Sequence, residues 1–118
     1  MATFSKTILS GSTDGRPIAV AATSSPGTTI HTGSSTAADL HEVWLYATNY
    51  GTNVATLSVQ WGGTTSADDI DVIVDPTSGL QIVAPGLIIK GNATPLVIRA
   101  FATVASTVNI TGYVNVIA

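Results

Sequence analysis

The stretch His41-Glu42-Val43-Trp44-Leu45-Tyr46-Ala47 decides the class of this chain. Val43, Leu45 and Ala47 fall on one side of an extended backbone, and Glu42, Trp44 and Tyr46 fall on the other. Side chains alternate across a strand, whereas a helix returns them to one face every three or four positions. Tyr50-Gly51-Thr52-Asn53 then has the composition of a turn, and the same period resumes from Val54 to Trp61. There Ala55, Leu57, Val59 and Trp61 face one way, while Thr56, Ser58 and Gln60 face the other and read as wet. Two alternating runs joined by such a turn predict an antiparallel hairpin.

Working toward the C-terminus, Ile70, Val72 and Val74 alternate with Asp69, Asp71, Ile73 and Asp75, and the run stops at Pro76. Leu80–Ala84 and Leu87–Lys90 flank Pro85-Gly86, which reads as a turn. Pro95–Thr103 sets Leu96, Ile98 and Ala100 opposite Val97, Arg99 and Phe101. Thr107–Ile117 sets Val108, Ile110, Val114 and Val116 opposite Asn109, Thr111, Tyr113 and Asn115, with Gly112 a candidate bulge. Toward the N-terminus the signal weakens. Pro17–Ala22 and Thr28–Thr32 read as short strands around a Ser25-Pro26-Gly27 turn, and 33–38 reads as an exposed loop. No segment sustains a helical stripe.

The pattern predicts an all-β, antiparallel β-sandwich of jelly-roll-like type, a single domain over residues 17–118. Val43, Leu45, Leu57, Val59, Ile70, Val72, Val74, Ile98, Val108, Ile110 and Val114 are its expected core. Residues 1–16 carry Phe4, Ile8 and Leu9 with Lys6 and a Ser/Gly/Thr tail, without sustained alternation. They read as an N-terminal arm that adds a strand to a neighbour's sheet edge; the alternative is the first strand of the chain's own sandwich.

Composition agrees with the pattern. Val, Ile and Thr supply 41 of 118 residues, and these side chains suit a pleated sheet. Charged residues are only 9% and the formal net charge is −3, with two Lys and two Arg, so there is no basic footprint for nucleic acid or an anionic membrane. The chain has no Cys, hence no disulfide framework and no thiolate chemistry. Its first residues lack the apolar core of a secretory signal, and the most apolar window, Leu80–Ile89, is too short and too broken to span a bilayer. The expectation is a soluble protein.

Few constellations could carry chemistry. On a strand, Asp69, Asp71 and Asp75 share a face where neighbouring carboxylates could meet a hard cation such as calcium, although the spacing is not that of an EF-hand. The plainer reading is a solvated face that discourages edge pairing. His31 and His41 lack zinc-site spacing and read as strand-edge or loop histidines, and no Gly-x-Ser-x-Gly elbow is present. Trp61-Gly62-Gly63-Thr64 lacks the ending of a phosphate loop, and Asn92-Ala93-Thr94 and Asn109-Ile110-Thr111 match the glycosylation pattern without a signal to bring them to it. No catalytic residue, cofactor or metal is expected, and the chain reads as no enzyme. Trp44, Tyr46 and Trp61 fit either a sugar platform or, as the plainer reading, the core or a subunit interface.

So uncharged an exterior is suited to burial against copies of itself or a larger scaffold, because interface cores are depleted in Lys, Glu and Asp. One further feature is a resemblance. Glu42–Ala47, Val59–Gly63, Leu80–Leu87, Val97–Ala102 and Asn109–Asn115, within a match over residues 12–117, are similar to small virion structural proteins of tailed bacteriophages, most of all to capsid decoration (cement) proteins. The resemblance implies a β-sandwich on the capsid exterior, with the major capsid protein as partner and assembly as a homo-oligomer, a trimer being favoured. Candidate interface residues are Phe4, Lys6, Ile8, Leu9, Trp44 and Tyr46. The other readings are a tail, neck or baseplate component and a carbohydrate-binding β-sandwich module.

Overall fold

The computed structural model describes residues 2–118. It contains β1 (Phe4–Ile8), β2 (Ile18–Ala19), β3 (Thr28–Thr32), β4 (Leu40–Asn49), β5 (Ala55–Trp61), β6 (Asp69–Val74), β7 (Gln81–Lys90), β8 (Val97–Ala102) and β9 (Val108–Ile117), with one 3-10 turn at Ser66–Asp68. The strands form two antiparallel sheets. Sheet A runs β1-β9-β4-β7, with β2 continuing the β1 side against β9, and sheet B runs β3-β8-β5-β6. The pairings nest: β5 with β6, β4 with β7, β3 with β8, and β1 and β2 with β9. One long antiparallel ribbon wrapped over itself gives this order, which is that of a jelly roll. The all-β sandwich expected from the alternation is present.

The core lies between the sheets. Val43, Leu45, Leu57, Val59, Val74, Ile98, Val108, Ile110 and Val114 are buried as the period requires. Ile70 and Val72 are only half-buried and pack against the core's margin, because β6 is an edge strand with a neighbour on one side. Burial of this apolar surface, at roughly 25 cal/mol per Å², is the main favourable term of folding.

Four local expectations are corrected. β4 and β5 are not a hairpin: each belongs to a different sheet, so Tyr50–Asn53 arches from one layer to the other. Ser58 and Gln60, expected wet, are buried: Gln60 Oε1 accepts from the Gly27 N–H (2.8 Å) and Gln60 Nε2 donates to Ser25 Oγ (2.9 Å), holding the 21–27 loop over sheet B, while Ser58 Oγ donates to Asp71 Oδ1 on the neighbouring strand (2.7 Å). Pro85-Gly86 is not a turn but a bulge inside β7, where the register against β4 slips between Val43↔Leu87 and Trp44↔Pro85. Proline fits there because an edge strand has no partner for the missing N–H. Gly112 is not a bulge. Its register is continuous (Leu45↔Gly112), and a Cβ there would collide with the Trp44 carbonyl, so glycine allows close approach of β4.

The N-terminal arm is also corrected. Phe4–Ile8 pairs with Ile117–Tyr113 of the same chain, and Leu9 is anchored in the core at 1% exposure. Strand β1 nevertheless keeps one arm-like property: among the described residues β9 is its only strand partner, and all five of its residues are exposed.

Candidate functional site

Antiparallel register assigns side chains to faces, because directly opposed residues point the same way. Across sheet A it sets Phe4, Ile117, Leu40 and Lys90 in one row, Lys6, Asn115, Glu42 and Ile88 in the next, and Ile8, Tyr113, Trp44 and Pro85 in a third. Thr111, Tyr46 and Ile82 continue the series. All alternate with the buried positions, so this is the outer face of the sheet. Five of the six expected interface residues, Phe4, Lys6, Ile8, Trp44 and Tyr46, come together on it. Leu9 does not, since its side chain is core.

The face is apolar and bare. Phe4 is 71% exposed, Ile82 62% and Ile88 52%. Lys6, Glu42 and Lys90 are the only charged side chains in these rows. Exposed apolar patches are a common feature of interaction surfaces, although smaller ones occur on ordinary monomers.

At its centre the side chains brace one another. The Trp44 and Tyr113 rings stack at 6.0 Å between centroids with 12° between planes. Lys6 Nζ stands 4.8 Å from the Tyr113 centroid, a cation–π contact. Trp44 Nε1 donates to Glu42 Oε1 at 2.7 Å, and Asn115 Nδ2 donates to the same oxygen at 3.0 Å. These bonds, Asn115 first and Trp44 second, hold the Glu42 carboxyl below its ordinary pKa, so it is charged at neutral pH. On the opposite side of Trp44, Gly86 has φ +80° and lies so close that a side chain there would stand 2.9 Å from the indole. The rings are therefore fixed in a row running across the strands. Trp44 lies between Tyr113 and Gly86, and Tyr113 between Trp44 and Lys6. Phe4, Lys6, Glu42, Asn115 and Ile117 line a shallow cleft of about 410 Å³ beside them.

Tyr113, Asn115, Ile82, Ile88 and Gly86 complete the site and were not among the expected interface residues. Alternation already placed Tyr113 and Asn115 outward; their neighbours were set by pairing between strands far apart in sequence.

The titratable residues singled out in the sequence lie elsewhere. His31 and His41, expected at strand edges or in loops, are buried at 2% and 9% exposure. His31 Nδ1 accepts from the Ser10 N–H (3.0 Å), which places the His31 proton on Nε2, 2.9 Å from His41 Nδ1. Burial first, and His41 second, pull the His31 pKa from the ordinary 6.5 to about 4. Burial also lowers that of His41, against an opposing pull from Asp39. Both rings are neutral links between β3 in sheet B and β4 in sheet A. Asp71 Oδ1 accepts from Ser58 Oγ at 2.7 Å, and Asp68 Oδ2 accepts from Thr65 Oγ1 at 2.8 Å. Among the described residues, no three His, Cys, Asp or Glu side chains converge as a metal site, Asp69, Asp71 and Asp75 included. Among the same residues, no helix is long and apolar enough to cross a membrane.

No family model matches the chain, and no curated protein or solved structure matches it.

Proposed function

We propose that the protein is a non-catalytic structural component of a tailed-bacteriophage virion, which decorates the capsid by laying the outer face of sheet A across neighbouring major capsid subunits. The observation that carries this reading is that face: aromatic and aliphatic, with few charges, braced by the Lys6–Tyr113–Trp44 row, and with Phe4, Ile82 and Ile88 more than half exposed. The low charge and the resemblance of the strand segments to decoration proteins support it. The jelly roll is compatible with it and does not by itself select it, since the same architecture serves capsids and lectins alike.

Mechanistically, a rigid sheet spanning a joint between subunits ties them together, and separating them then requires breaking its contacts. If the face fits only the mature lattice, binding stabilises that lattice by mass action. Ring edges and aliphatic side chains suit a flat apolar partner, and the Glu42–Asn115–Trp44 bonds keep the polar groups satisfied when water is excluded.

The test is to locate the protein in purified particles by immunogold labelling and to count copies by quantitative mass spectrometry. Decoration requires on the order of hundreds of copies on the head, whereas about six or twelve at a collar or baseplate would assign it to the tail or neck instead. Absence from the particles overturns the reading altogether.

A further inference from the structure

Each sheet ends in an edge strand, and two of these edges are complementary. In β1 the Thr3 and Ala118 backbones exchange both hydrogen bonds, so alternation turns the N–H and C=O of Phe4, Lys6 and Ile8 outward to the free edge. In β6 the same reasoning starts from its neighbour. The Thr56 N–H donates to Thr103 Oγ1 and the Thr56 C=O accepts from the Thr103 N–H, so Thr56 faces β8, and its opposite residue Ile73 bonds nothing on β5. Asp69, Asp71 and Ile73 therefore present their backbones to the outer edge of sheet B. The Ile73 carbonyl is taken by Gln81 Nε2 and the Asp69 N–H by the Ser66 carbonyl. The Ile73 N–H, both backbone groups of Asp71 and the Asp69 carbonyl are left open.

We propose that copies of this chain associate head to tail, the β1 edge of one pairing antiparallel with the β6 edge of the next in the register Phe4↔Ile73, Lys6↔Asp71, Ile8↔Asp69. This register sets Lys6 against a carboxylate and Phe4, 71% exposed, against Ile73, 62% exposed. A slip of two residues either way sets Phe4 against Asp71 or Asp75. The charges also select against symmetric pairing: β1 with itself in the equivalent register opposes Lys6 to Lys6, and β6 with itself opposes Asp71 to Asp71, each unfavourable. The remaining edges are guarded, β7 by Pro85 and its bulge and β3 by a register break between Thr29 and His31.

The geometry fixes the kind of assembly. Opposed residues share a face, so the outer face of sheet A runs flush into the outer face of the neighbour's sheet B. Within one copy these two faces point in opposite directions. Successive copies are therefore turned over relative to one another, and the contact is heterologous and open-ended rather than closed into a trimer. This goes beyond the capsid-binding reading and is tested on free protein, so either can fail without the other.

Sedimentation velocity on the purified full chain over a range of concentrations is the first measurement. Lys6→Asp and Asp71→Lys should each weaken association roughly tenfold, and the two combined should restore it. Circular dichroism on each variant checks that the strands are intact. A second measurement uses the natural absence of cysteine: Phe4→Cys with Ile73→Cys, oxidised, should give a ladder of covalent multimers, because β1 and β6 lie on opposite edges of one copy. A monomer at every concentration, a discrete trimer indifferent to both charge changes, a double variant no better than the singles, or oxidation without a ladder would each overturn the proposal.

Discussion

The outer faces of the two sheets begin from the same alternation and end differently. Sheet A turns Trp44, Tyr113, Ile82 and Ile88 outward, with Ile82 62% and Ile88 52% exposed. Sheet B presents Ser58 and Gln60, and these are buried: Gln60 is bonded to the 21–27 loop and Ser58 to Asp71. Apolar side chains at the centre of one face are exposed, and polar side chains at the centre of the other are covered. In an isolated chain the reverse arrangement would bury more apolar surface, and exposed apolar patches are a common feature of interaction surfaces. Hydrogen bonding explains why the inversion is stable: Gln60 satisfies the backbone of the loop that covers it, and a buried polar group costs little when it is fully bonded.

Three changes test the contrast. The largest acts beneath both faces, at the histidine link between the sheets. An unfolded His31 takes up a proton near pH 6.5, and the folded one does so only near 4, so the unfolded chain binds more protons in between. Stability is therefore full above about pH 6.5 and falls as the pH drops toward 4, by up to about 3 kcal/mol. Burial of the ring explains most of the resistance and the neighbouring His41 the rest; a doubly protonated His31 would also point a second donor at the Ser10 N–H. Urea midpoints across this range should show the loss, and His31→Gln should flatten it. A flat profile in the parent chain would mean that the rings are not held neutral.

Next in size is Gln60→Ala, which removes the anchor from the covered face. It leaves the Gly27 N–H without its acceptor and should cost about 1–3 kcal/mol, with faster hydrogen exchange confined to residues 21–27. An unchanged exchange pattern would show that the loop is held by other contacts. The smallest effect belongs to the bare face. Ile82→Ser should change stability by no more than about 0.5 kcal/mol, because the side chain is already 62% exposed, while weakening attachment to particles. A large loss of stability would place Ile82 in the fold's own packing and remove it from the interface.

Much of this was legible in the sequence, for a stated reason. The two-residue period is a local property of the backbone, and it marked the buried side of β4, β5, β8 and β9 residue by residue. It also put Trp44, Tyr46, Tyr113 and Asn115 on outward positions. It could not say what those positions would face. Gln60 has the same outward signature as Tyr46, and only a loop from more than thirty positions away in the chain separates their fates.

What the sequence determined by itself, then, is the all-β class, the strands and the inward side of most of them, since propensity and alternation act between near neighbours. What only the tertiary structure decided is pairing. A turn such as Tyr50–Asn53 serves equally as a hairpin within one sheet or an arch between two, and the choice depends on β4 finding β7 and β9 while β5 finds β6 and β8. The same is true of Phe4–Ile8, whose irregular pattern gave no hint of β9 at the far end of the chain. Strand pairing is set by hydrogen bonds and packing between distant segments, and no local period encodes it.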